Sequence, residues 1–373
     1  MLKKKICYIA EINIPSKSAY SIHVMKMCEA FAKLKYDVNL YIINHQNYKK
    51  ININYNINNK FRIHSIFNKA IQLNLFYRII FSLKILFKYR KTRMLFVSRS
   101  IIFSLLASIT HVNVILELHH EISGFSKIIY FIFKKLNLIK NLKYIFLNKN
   151  LNKIYKISKK NFLILDDAVN INNFKVKKSM KYKKTCVYIG SFFEGKGVEQ
   201  LFRLAKINKD INFHIYGEKK FLNEKIKTNN IKIFDHITYN KVPKILSKYE
   251  IALMPYQKKV KGRSSINLER YMSPLKMFDY LAAKMIILAS DLKVYKHILK
   301  DHFNCILIKV NDDKTWSNTI NKLIENKIDK SKLKKNAYKT AINNTWEKRC
   351  IKIINFFNKE KKTDYCNNVY GKN

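Results

Sequence analysis

The feature that most constrains the fold is an alternation of short apolar runs with helical patterns, which occurs twice along the chain. In the first series, the apolar run 6–10 precedes a helical pattern over 23–34, and a second apolar run follows at 38–43. Short continuous apolar runs are typical of parallel strands that are buried on both faces. Their alternation with helices predicts β-α-β units and therefore a doubly wound α/β fold.

A second series of the same kind begins at 185–190 and continues with a helix at 198–207 and a strand at 212–216. Further strands are predicted at 94–97, 114–118, 144–147 and 162–165 in the first series, and at 231–234, 251–254, 286–289 and 305–308 in the second. The lysine-rich stretch 173–184 between the series is interpreted as a linker. A chain of 373 residues also exceeds one ordinary core and fits two domains.

These patterns give explicit domain limits. The first domain is predicted over 1–178 and the second over 179–345. A helix over 346–358 is expected to pack back on the first domain, and the polar segment 359–373 is expected to be a disordered tail.

The formal net charge of +48 invites a nucleic-acid interpretation, but the type of basic residue argues against it. Only nine of the 73 basic residues are arginine, whereas readers of bases and phosphates favour the bidentate guanidinium. The heavy use of lysine, isoleucine and asparagine is typical of drift in an A+T-rich genome. We therefore expect no specific nucleic-acid partner.

One basic segment is distinctive because 38–116 contains no Asp or Glu and twelve Lys and Arg. Within it, 71–90 is predicted to form an aromatic-rich helix with Lys84, Lys88 and Lys91 along one side. Such a helix could lie on an anionic membrane surface, or it could be a buried helix with a solvated lysine edge. Both interpretations stay open at this point.

No transmembrane segment or signal peptide is expected, because the longest uncharged run, 100–116, has 17 residues and the N-terminal apolar run is interrupted by Glu11. The six cysteines have no paired spacing, which predicts a reducing, cytoplasmic location without zinc or disulfides.

Glycine and proline are rare in this chain, so their positions are informative. Three of the seven glycines lie in "GSFFEGKG" (190–197), which follows a predicted strand and precedes a helix. One of the four prolines lies in "SPLK" (273–276), where Ser273 is predicted as the N-cap and Pro274 as the first helical residue. Lys276 would then add a positive charge to a helix N-terminus that is already positive, which is unfavourable unless an anion binds there.

Several segments, taken in order, resemble the group 1 glycosyltransferases (glycosyltransferase family 4). They are "YIGSFFEGKGVEQL", "FHIYGE", "YMSPLKMFDYLAAKMIILASDLKVYKHIL" and "TWEKRC" in the second half, with "IPSKSAYSIHVMKMCEAFAKL" and "VILELHHE" in the first. The resemblance implies a GT-B architecture, in which two Rossmann-like domains face each other across a cleft. It also implies transfer of a sugar from a nucleoside diphosphate, with retention and without a metal or other cofactor.

The resemblance also implies roles for individual residues. Lys196 and Lys276 would hold the diphosphate, His119 would lie near the transferred sugar, and these three are the predicted catalytic residues. The predicted donor-binding residues are Gly190, Ser191, Lys196, Ser273, Pro274, Leu275, Lys276 and Asp279. The predicted acceptor-side residues are Ala19, Tyr20, Arg99 and His119.

The predicted partners are a nucleotide-sugar donor and a glycan or lipid-linked acceptor, used in cell-surface polysaccharide or lipopolysaccharide synthesis on the inner membrane face. Two departures from the family pattern support an alternative, since Ser191 replaces a common arginine and Tyr271 a common acidic residue. The alternative is a nucleotide-binding protein with weakened catalysis. A third hypothesis is a basic binder of membranes or nucleic acid that uses the charge itself.

Overall fold

The computed structural model describes residues 4–46, 48–89, 94–110, 112–140, 142–219, 228–261 and 269–370. By its internal contacts the chain divides into two units. Unit 1 comprises 1–166 and 346–373, and unit 2 comprises 167–345. Among the residues described, no helix is both long enough and apolar enough to cross a membrane.

Unit 1 is built on a seven-stranded parallel sheet in the order β5-β3-β1-β6-β7-β8-β9. Its strands are β1 (Lys5–Ile9), β3 (Asp37–Ile42), β5 (Arg62–Ser65), β6 (Leu95–Ser98), β7 (Val114–Leu118), β8 (Lys143–Phe146) and β9 (Phe162–Ile164). The two-residue strands β2 (Asn13–Ile14) and β4 (Asn44–His45) pair separately. Its helices are α1 (Ala19–Lys33), α2 (Tyr48–Tyr55), α3 (Leu75–Tyr89), α4 (Ile101–Ile109), α5 (Phe125–Lys135), α6 (Lys149–Tyr155) and α12 (Trp346–Tyr370).

Unit 2 is built on a six-stranded parallel sheet in the order β12-β11-β10-β13-β14-β15. Its strands are β10 (Thr185–Ile189), β11 (Asn212–Tyr216), β12 (Ile231–Phe234), β13 (Ile251–Met254), β14 (Ile286–Ser290) and β15 (Ile306–Ile308). Its helices are α7 (Val198–Ile207), α8 (Val242–Leu246), α9 (Leu275–Ala282), α10 (Asp313–Ile324) and α11 (Lys330–Asn343).

The order of strands along the unit 2 sheet is 3-2-1-4-5-6 in chain sequence, which is the doubly wound Rossmann order. A core of apolar side chains from β10, α7 and α10 covers one face of this sheet, with Trp316 fully buried. The predicted α/β class, with two doubly wound parallel sheets, is confirmed.

The predicted elements match closely, because buried apolar runs and 3.6-residue periodicity are local signals. The strands β7, β11, β12 and β13 and the helix α7 have the predicted limits. Strand β5 was missed because "RIHS" is polar and lies at the edge of the sheet. The helix predicted over 71–90 begins at Leu75 instead, and residue 90 and Lys91 lie outside the described residues.

The boundary between the two units differs from the domain boundary predicted from the sequence. The division falls between Asp166 and Asp167, twelve residues before the predicted boundary at 178. The stretch 173–184, interpreted as a linker, lies within unit 2 because its backbone N–H groups bind the carbonyls of Ser247 and Lys248. Such main-chain pairing depends on the fold, so the polar composition alone did not reveal it.

The C-terminal segment also differs. Helix α12 begins at Trp346 and packs on α1 within unit 1. The backbone stays helical to Tyr370, through most of the segment expected to be disordered. No glycine or proline occurs between Trp346 and Val369, and lysine and glutamate favour helix, so nothing in the local sequence ends it earlier.

Candidate functional site

The candidate site in unit 2 lies where the strand order of the sheet reverses. Strand β10 has β11 on one side and β13 on the other, so the connections that leave β10 and β13 run in opposite directions. In doubly wound sheets this switch point opens a crevice at the carboxyl ends of the strands, where ligands bind. Gly190 follows β10 and Pro255 follows β13, so both lie at this edge.

Lys276 lies in the first turn of α9, and its ammonium group is buried at this switch point. Its Nζ lies 3.6 Å from the ring centroid of Tyr188 and 5.3 Å from that of Tyr256. Among the described residues it has no hydrogen-bond partner and forms no ion pair. Burial, with the charge of Lys196 as a second cause, lowers the pKa of Lys276 well below its ordinary value. The aromatic rings alone do not compensate for the lost hydration of this charge.

Gly190 makes room for that ammonium group. A Cβ at position 190 would lie 2.3 Å from Nζ and 2.8 Å from Cε of Lys276. Any other residue would therefore push the lysine away from the end of β10. The glycine and the lysine, predicted separately as donor-binding residues, form one arrangement.

Lys196 is the second cation at this edge. Its Nζ lies 5.0 Å from the ring centroid of Tyr256, the ring that Lys276 also approaches. Burial lowers the pKa of Lys196 to about 8, and no carboxylate in the described part of the chain pairs with it. Two lysines therefore share one aromatic ring without a counter-ion, which favours binding of a polyanion.

The glycines beside Lys196 serve backbone packing. Gly195 and Gly197 adopt φ values of +80° and +84°, and a Cβ at either would lie within 2 Å of the carbonyl oxygen of Lys259 or Pro255. The loop is therefore pressed against the segment that follows β13. This close approach sets the position from which the Lys196 side chain extends.

The start of α9 differs from the prediction. The first helical residue is Leu275, the extended Pro274 is the N-cap, and no side chain caps the helix. Ser273, predicted as the N-cap, instead accepts a hydrogen bond from the backbone N–H of Asp167 at 3.1 Å. The N–H groups of Leu275 and Lys276 lie in the uncapped first turn, where backbone donors point at anions.

The two other donor-side residues lie close by. Asp279 is buried on α9, where its carboxylate accepts from the hydroxyl of Tyr239 at 3.0 Å. It is therefore not an ordinary exposed helix residue. Ser191 is part-buried after Gly190, and its carbonyl accepts from the hydroxyl of Tyr188. All the predicted donor-binding residues thus lie in unit 2, on the loop after β10 or on α9 and the residues just before it.

His119 lies in unit 1, directly after β7, and is held by a buried carboxylate. Glu117 ionised can only accept, so His119 Nε2 donates to Glu117 Oε1 at 2.7 Å. Arg349 from α12 donates to the same oxygen at 2.8 Å, and His23 Nε2 lies 2.9 Å from it. The hydroxyl of Tyr8 donates to the other oxygen. This group is called the Glu117 cluster below.

The charges in the Glu117 cluster compensate one another. Burial by itself would raise the pKa of Glu117, but Arg349 and the two histidines hold it well below its usual range. Burial and the nearby Arg99 lower the pKa of His119 to about 3, against the opposing effect of Glu117. His119 is therefore neutral near pH 7, in a single tautomer fixed by Glu117.

Arg99 and Tyr20 lie near His119, and Ala19 lies beside Tyr20. Arg99 follows β6, the neighbour of β7, and its guanidinium stacks 3.9 Å above the ring centroid of Tyr20. One guanidinium nitrogen of Arg99, Nη1, is buried and has no hydrogen-bond partner in the described structure. Ala19 and Tyr20 precede the helical pattern predicted over 23–34, but they begin α1, because the Ser18 side chain caps that helix. A cation with a free donor at a sheet edge suits a polar or anionic acceptor.

The residues of the Glu117 cluster do not fit a metal ion. Among the described residues, one group of side chains has ligand atoms close enough together to hold a metal ion, and its members are His23, Glu117 and His119. Both histidine nitrogens face the same carboxylate oxygen, which already accepts from Arg349. A cation placed there would meet the fixed positive charge of the guanidinium.

Sequence reasoning missed the residues that surround the predicted ones. Tyr188 and Tyr256 form the aromatic floor under the lysines, and Glu117 and Arg349 orient His119. Glu117 had a detectable signal, since it is an acidic residue within a buried apolar strand and lies two positions before His119. Arg349 also had one, as a rare arginine in a lysine-rich chain.

Part of the chain matches a known protein family. Residues 170–340 match the family model described as glycosyl transferases group 1. No curated protein matches the chain by sequence.

Several solved structures share the fold over nearly the whole chain. A glycosyltransferase from Rickettsia africae has a TM-score of 0.71 at 14% identity and covers 96% of this chain and 99% of its own. HepE of Anabaena, solved with UDP and glucose, has a TM-score of 0.70 at 11% identity and covers 94% and 99%. The lipopolysaccharide outer core galactosyltransferase WaaB has a TM-score of 0.63 at 12% identity and covers 95% and 99%. The fold is therefore that of the GT-B glycosyltransferases, as predicted.

Proposed function

We propose that this chain, whose residues 170–340 match the family model of the group 1 glycosyltransferases, transfers a sugar from a nucleoside-diphosphate sugar to a glycan or lipid-linked acceptor. The observation that carries the proposal is the pair of uncompensated lysines, Lys196 and Lys276, at the switch point of the unit 2 sheet. A diphosphate supplies the missing negative charge and fits a helix N-terminus.

The same arrangement explains how bond cleavage is assisted. The bond between the sugar and the diphosphate breaks with negative charge building on the diphosphate oxygen. Lys196, Lys276 and the N–H groups of Leu275 and Lys276 are fixed in advance to stabilise that charge. Their positive charges do what a divalent cation does in other transferases, so we propose transfer without a metal.

The finer assignments rest on the resemblance and on single observations. Retention of the sugar configuration follows from the family resemblance. Asp279 is proposed to bind the ribose hydroxyls, and Gly190 and Ser191 to border the diphosphate. His119, neutral and oriented by Glu117, is proposed to contact the transferred sugar, with Tyr20 and Arg99 on the acceptor side.

The neighbouring structures support the substrate class. HepE binds UDP-glucose in its solved complex, and WaaB is a galactosyltransferase of the lipopolysaccharide outer core. We therefore propose work on a cell-surface polysaccharide or lipopolysaccharide precursor at the inner membrane face.

The test is isothermal calorimetry with UDP, GDP and ADP and their common sugar conjugates, with EDTA and then with Mg²⁺. We expect one nucleotide to bind in EDTA, and Lys276→Ala to abolish that binding. The matched control is Lys206→Ala, which removes an exposed lysine from α7. Loss of one such stabilising group should slow transfer by about 100- to 1,000-fold.

Three results would contradict parts of the proposal. Binding that survives Lys276→Ala would mean that α9 holds no diphosphate. Binding only with Mg²⁺ would remove the metal-free mechanism. Nucleotide-sugar binding without transfer or slow donor hydrolysis would favour the alternative of a binding protein with weakened catalysis.

A further inference from the structure

Two helices of unit 1 expose apolar stripes to solvent. Phe76 and Phe87 on α3 are 65% and 67% exposed, and Phe125 and Ile128 on α5 are 66% and 56% exposed. The apolar face is defined by Phe76, Ile79, Leu83 and Phe87 of α3 and by Phe125, Ile128 and Ile132 of α5 with its C-cap residue Leu136. Exposed apolar side chains that stand singly occur elsewhere in the described structure and are ordinary, but eight that recur along two neighbouring helices indicate an interaction surface.

The spacing within each stripe is the same. The four residues of each helix follow one another by three, four and four positions, which places them along one side of a helix. The opposite sides of the helices are buried, through Phe81 and Ile85 on α3 and Tyr130 on α5. Each helix therefore carries apolar side chains both towards the core and towards solvent.

The two helices are neighbours. Both pack on α4, and Arg78 of α3 donates to the hydroxyl of Ser126 on α5 at 3.3 Å. This contact lies near the first turn of each helix, so Phe76 and Phe125 lie one or two residues from it. The stripes thus belong to adjacent parts of one unit.

The apolar face has a cationic border. The segment 122–165, which contains α5, has ten lysines and no Asp or Glu, as 38–116 around α3 has twelve basic residues and no acid. Lys84 and Lys88 directly follow Leu83 and Phe87 and are exposed. Lys135 is exposed beside Leu136. An occupant of this face must accept apolar side chains and supply negative charge.

We propose that the apolar face docks on a membrane leaflet that contains anionic lipid. The phenylalanine, isoleucine and leucine side chains enter the boundary between headgroups and acyl chains, and the lysines pair with lipid phosphates. A second copy of the chain would supply the apolar surface but would bring the same positive charge, so it fits less well. The proposal adds a surface to the transferase function, and vesicle binding needs neither donor nor acceptor.

The experiment is co-sedimentation of the full-length chain with phosphatidylcholine vesicles that contain or lack phosphatidylglycerol, at low and high salt. The test variant is Phe87→Ser with Phe125→Ser. The matched control is Ile207→Ser with Phe303→Ser, which removes two apolar side chains that are exposed on unit 2. Both variants keep the net charge.

We expect the wild type and the control to bind the anionic vesicles equally. The test variant should bind at least about tenfold more weakly, since withdrawing one buried apolar side chain is worth roughly that factor. All three proteins should melt together and bind nucleotide alike, because the substituted side chains are exposed and none is at the lysine site. The nucleotide measurement keeps a failure here separate from a failure of the transferase proposal.

Other outcomes overturn the proposal. Equal binding by all three proteins that vanishes at high salt would mean adsorption through net charge alone. Absence of vesicle binding by the wild type would remove the membrane as occupant. A dimer in analytical ultracentrifugation that Phe87→Ser with Phe125→Ser abolishes would assign the face to a second copy.

Discussion

The two units bury charge in opposite ways. In unit 1, Glu117 accepts from Arg349 and His119, so positive and negative groups are matched over short distances. In unit 2, Lys196 and Lys276 lie over one tyrosine ring with no described carboxylate paired to either. The first arrangement is complete within the protein, and the second needs an anion from outside it.

The difference indicates how a charged group that stabilises the fold can be distinguished from a charged group that binds a ligand. A matched cluster lowers the energy of the folded chain and fixes the orientation of its members. An unmatched buried cation destabilises the ligand-free fold and is retained only where a ligand compensates it. Removing a charge should therefore destabilise the matched cluster of unit 1 but not the lysine site of unit 2.

The largest effect is expected when the matched cluster is broken. Glu117→Ala leaves Arg349 buried without its carboxylate, so the free energy of unfolding should fall by about 3–5 kcal/mol. Lys276→Ala should leave that free energy unchanged or raise it, because it removes an uncompensated charge. Urea unfolding followed by tryptophan fluorescence measures both, since Trp346 and Trp316 lie in units 1 and 2.

The control for this comparison is Glu347→Ala, which breaks the more exposed pair with Lys33 in unit 1. It should change stability by about 1 kcal/mol or less. If Lys276→Ala destabilises the protein as much as Glu117→Ala, the contrast between the units is wrong.

A smaller effect is expected when the lysine is displaced but kept. Gly190→Ala places a methyl group 2.3 Å from Lys276 Nζ and should weaken nucleotide binding by on the order of 10- to 100-fold. In the Lys276→Ala background the same substitution should cost little more, because the clash is gone. Calorimetry on the four proteins of this cycle measures the coupling, and additive losses would show that Gly190 acts independently of Lys276.

The pH dependence should have opposite signs for stability and binding. Between pH 8 and 10 the unfolded chain keeps the proton on Lys196, whose ordinary pKa is 10.5, while the folded chain loses it at a pKa of about 8. The unfolded state then binds more protons, so this lysine makes stability rise by up to about 1.4 kcal/mol per pH unit. Nucleotide affinity should fall by up to about tenfold per unit over the same range, since the protonated form binds the diphosphate.

The comparison protein for the pH measurement is Lys196→Met, which keeps the length of the side chain. Subtracting its unfolding and binding profiles from those of the wild type isolates the contribution of Lys196. A difference profile that stays flat from pH 7 to 10 would mean that the pKa of this lysine is not lowered.

The smallest effect concerns Ser273. Because its hydroxyl accepts from the N–H of Asp167, Ser273→Ala should cost about 1 kcal/mol of stability and leave nucleotide affinity unchanged. Calorimetry of this variant beside Ser191→Ala compares the two serines that the sequence assigned to the donor. A large loss of nucleotide affinity in Ser273→Ala would mean that Ser273 contacts the nucleotide.

Local signals explain what could be predicted. The strands from 185–189 to 306–308 were found because each is a short apolar run, and "GSFFEGKG" stood out because glycine is rare here. The family resemblance named Gly190 and Lys276 as donor-binding residues separately, and only the structure places the end of the Lys276 side chain against Gly190. The prediction that Ser273 caps α9 was wrong, because its hydroxyl accepts a hydrogen bond from the backbone N–H of Asp167, which is distant in sequence.

The sequence by itself determined the two doubly wound units, the elements that carry the site and the residue types that could hold a phosphate. Periodicity and rare residues are properties of the sequence alone, so they can be recognised without the structure. Only the tertiary structure decided which charges are matched. Arg349 donates a hydrogen bond to Glu117, which lies 232 positions earlier in the chain. The rings of Tyr188 and Tyr256, which lie at the ends of two different strands, both approach the ammonium group of Lys276. Burial and charge compensation depend on distances in space, which residue spacing along the chain does not fix.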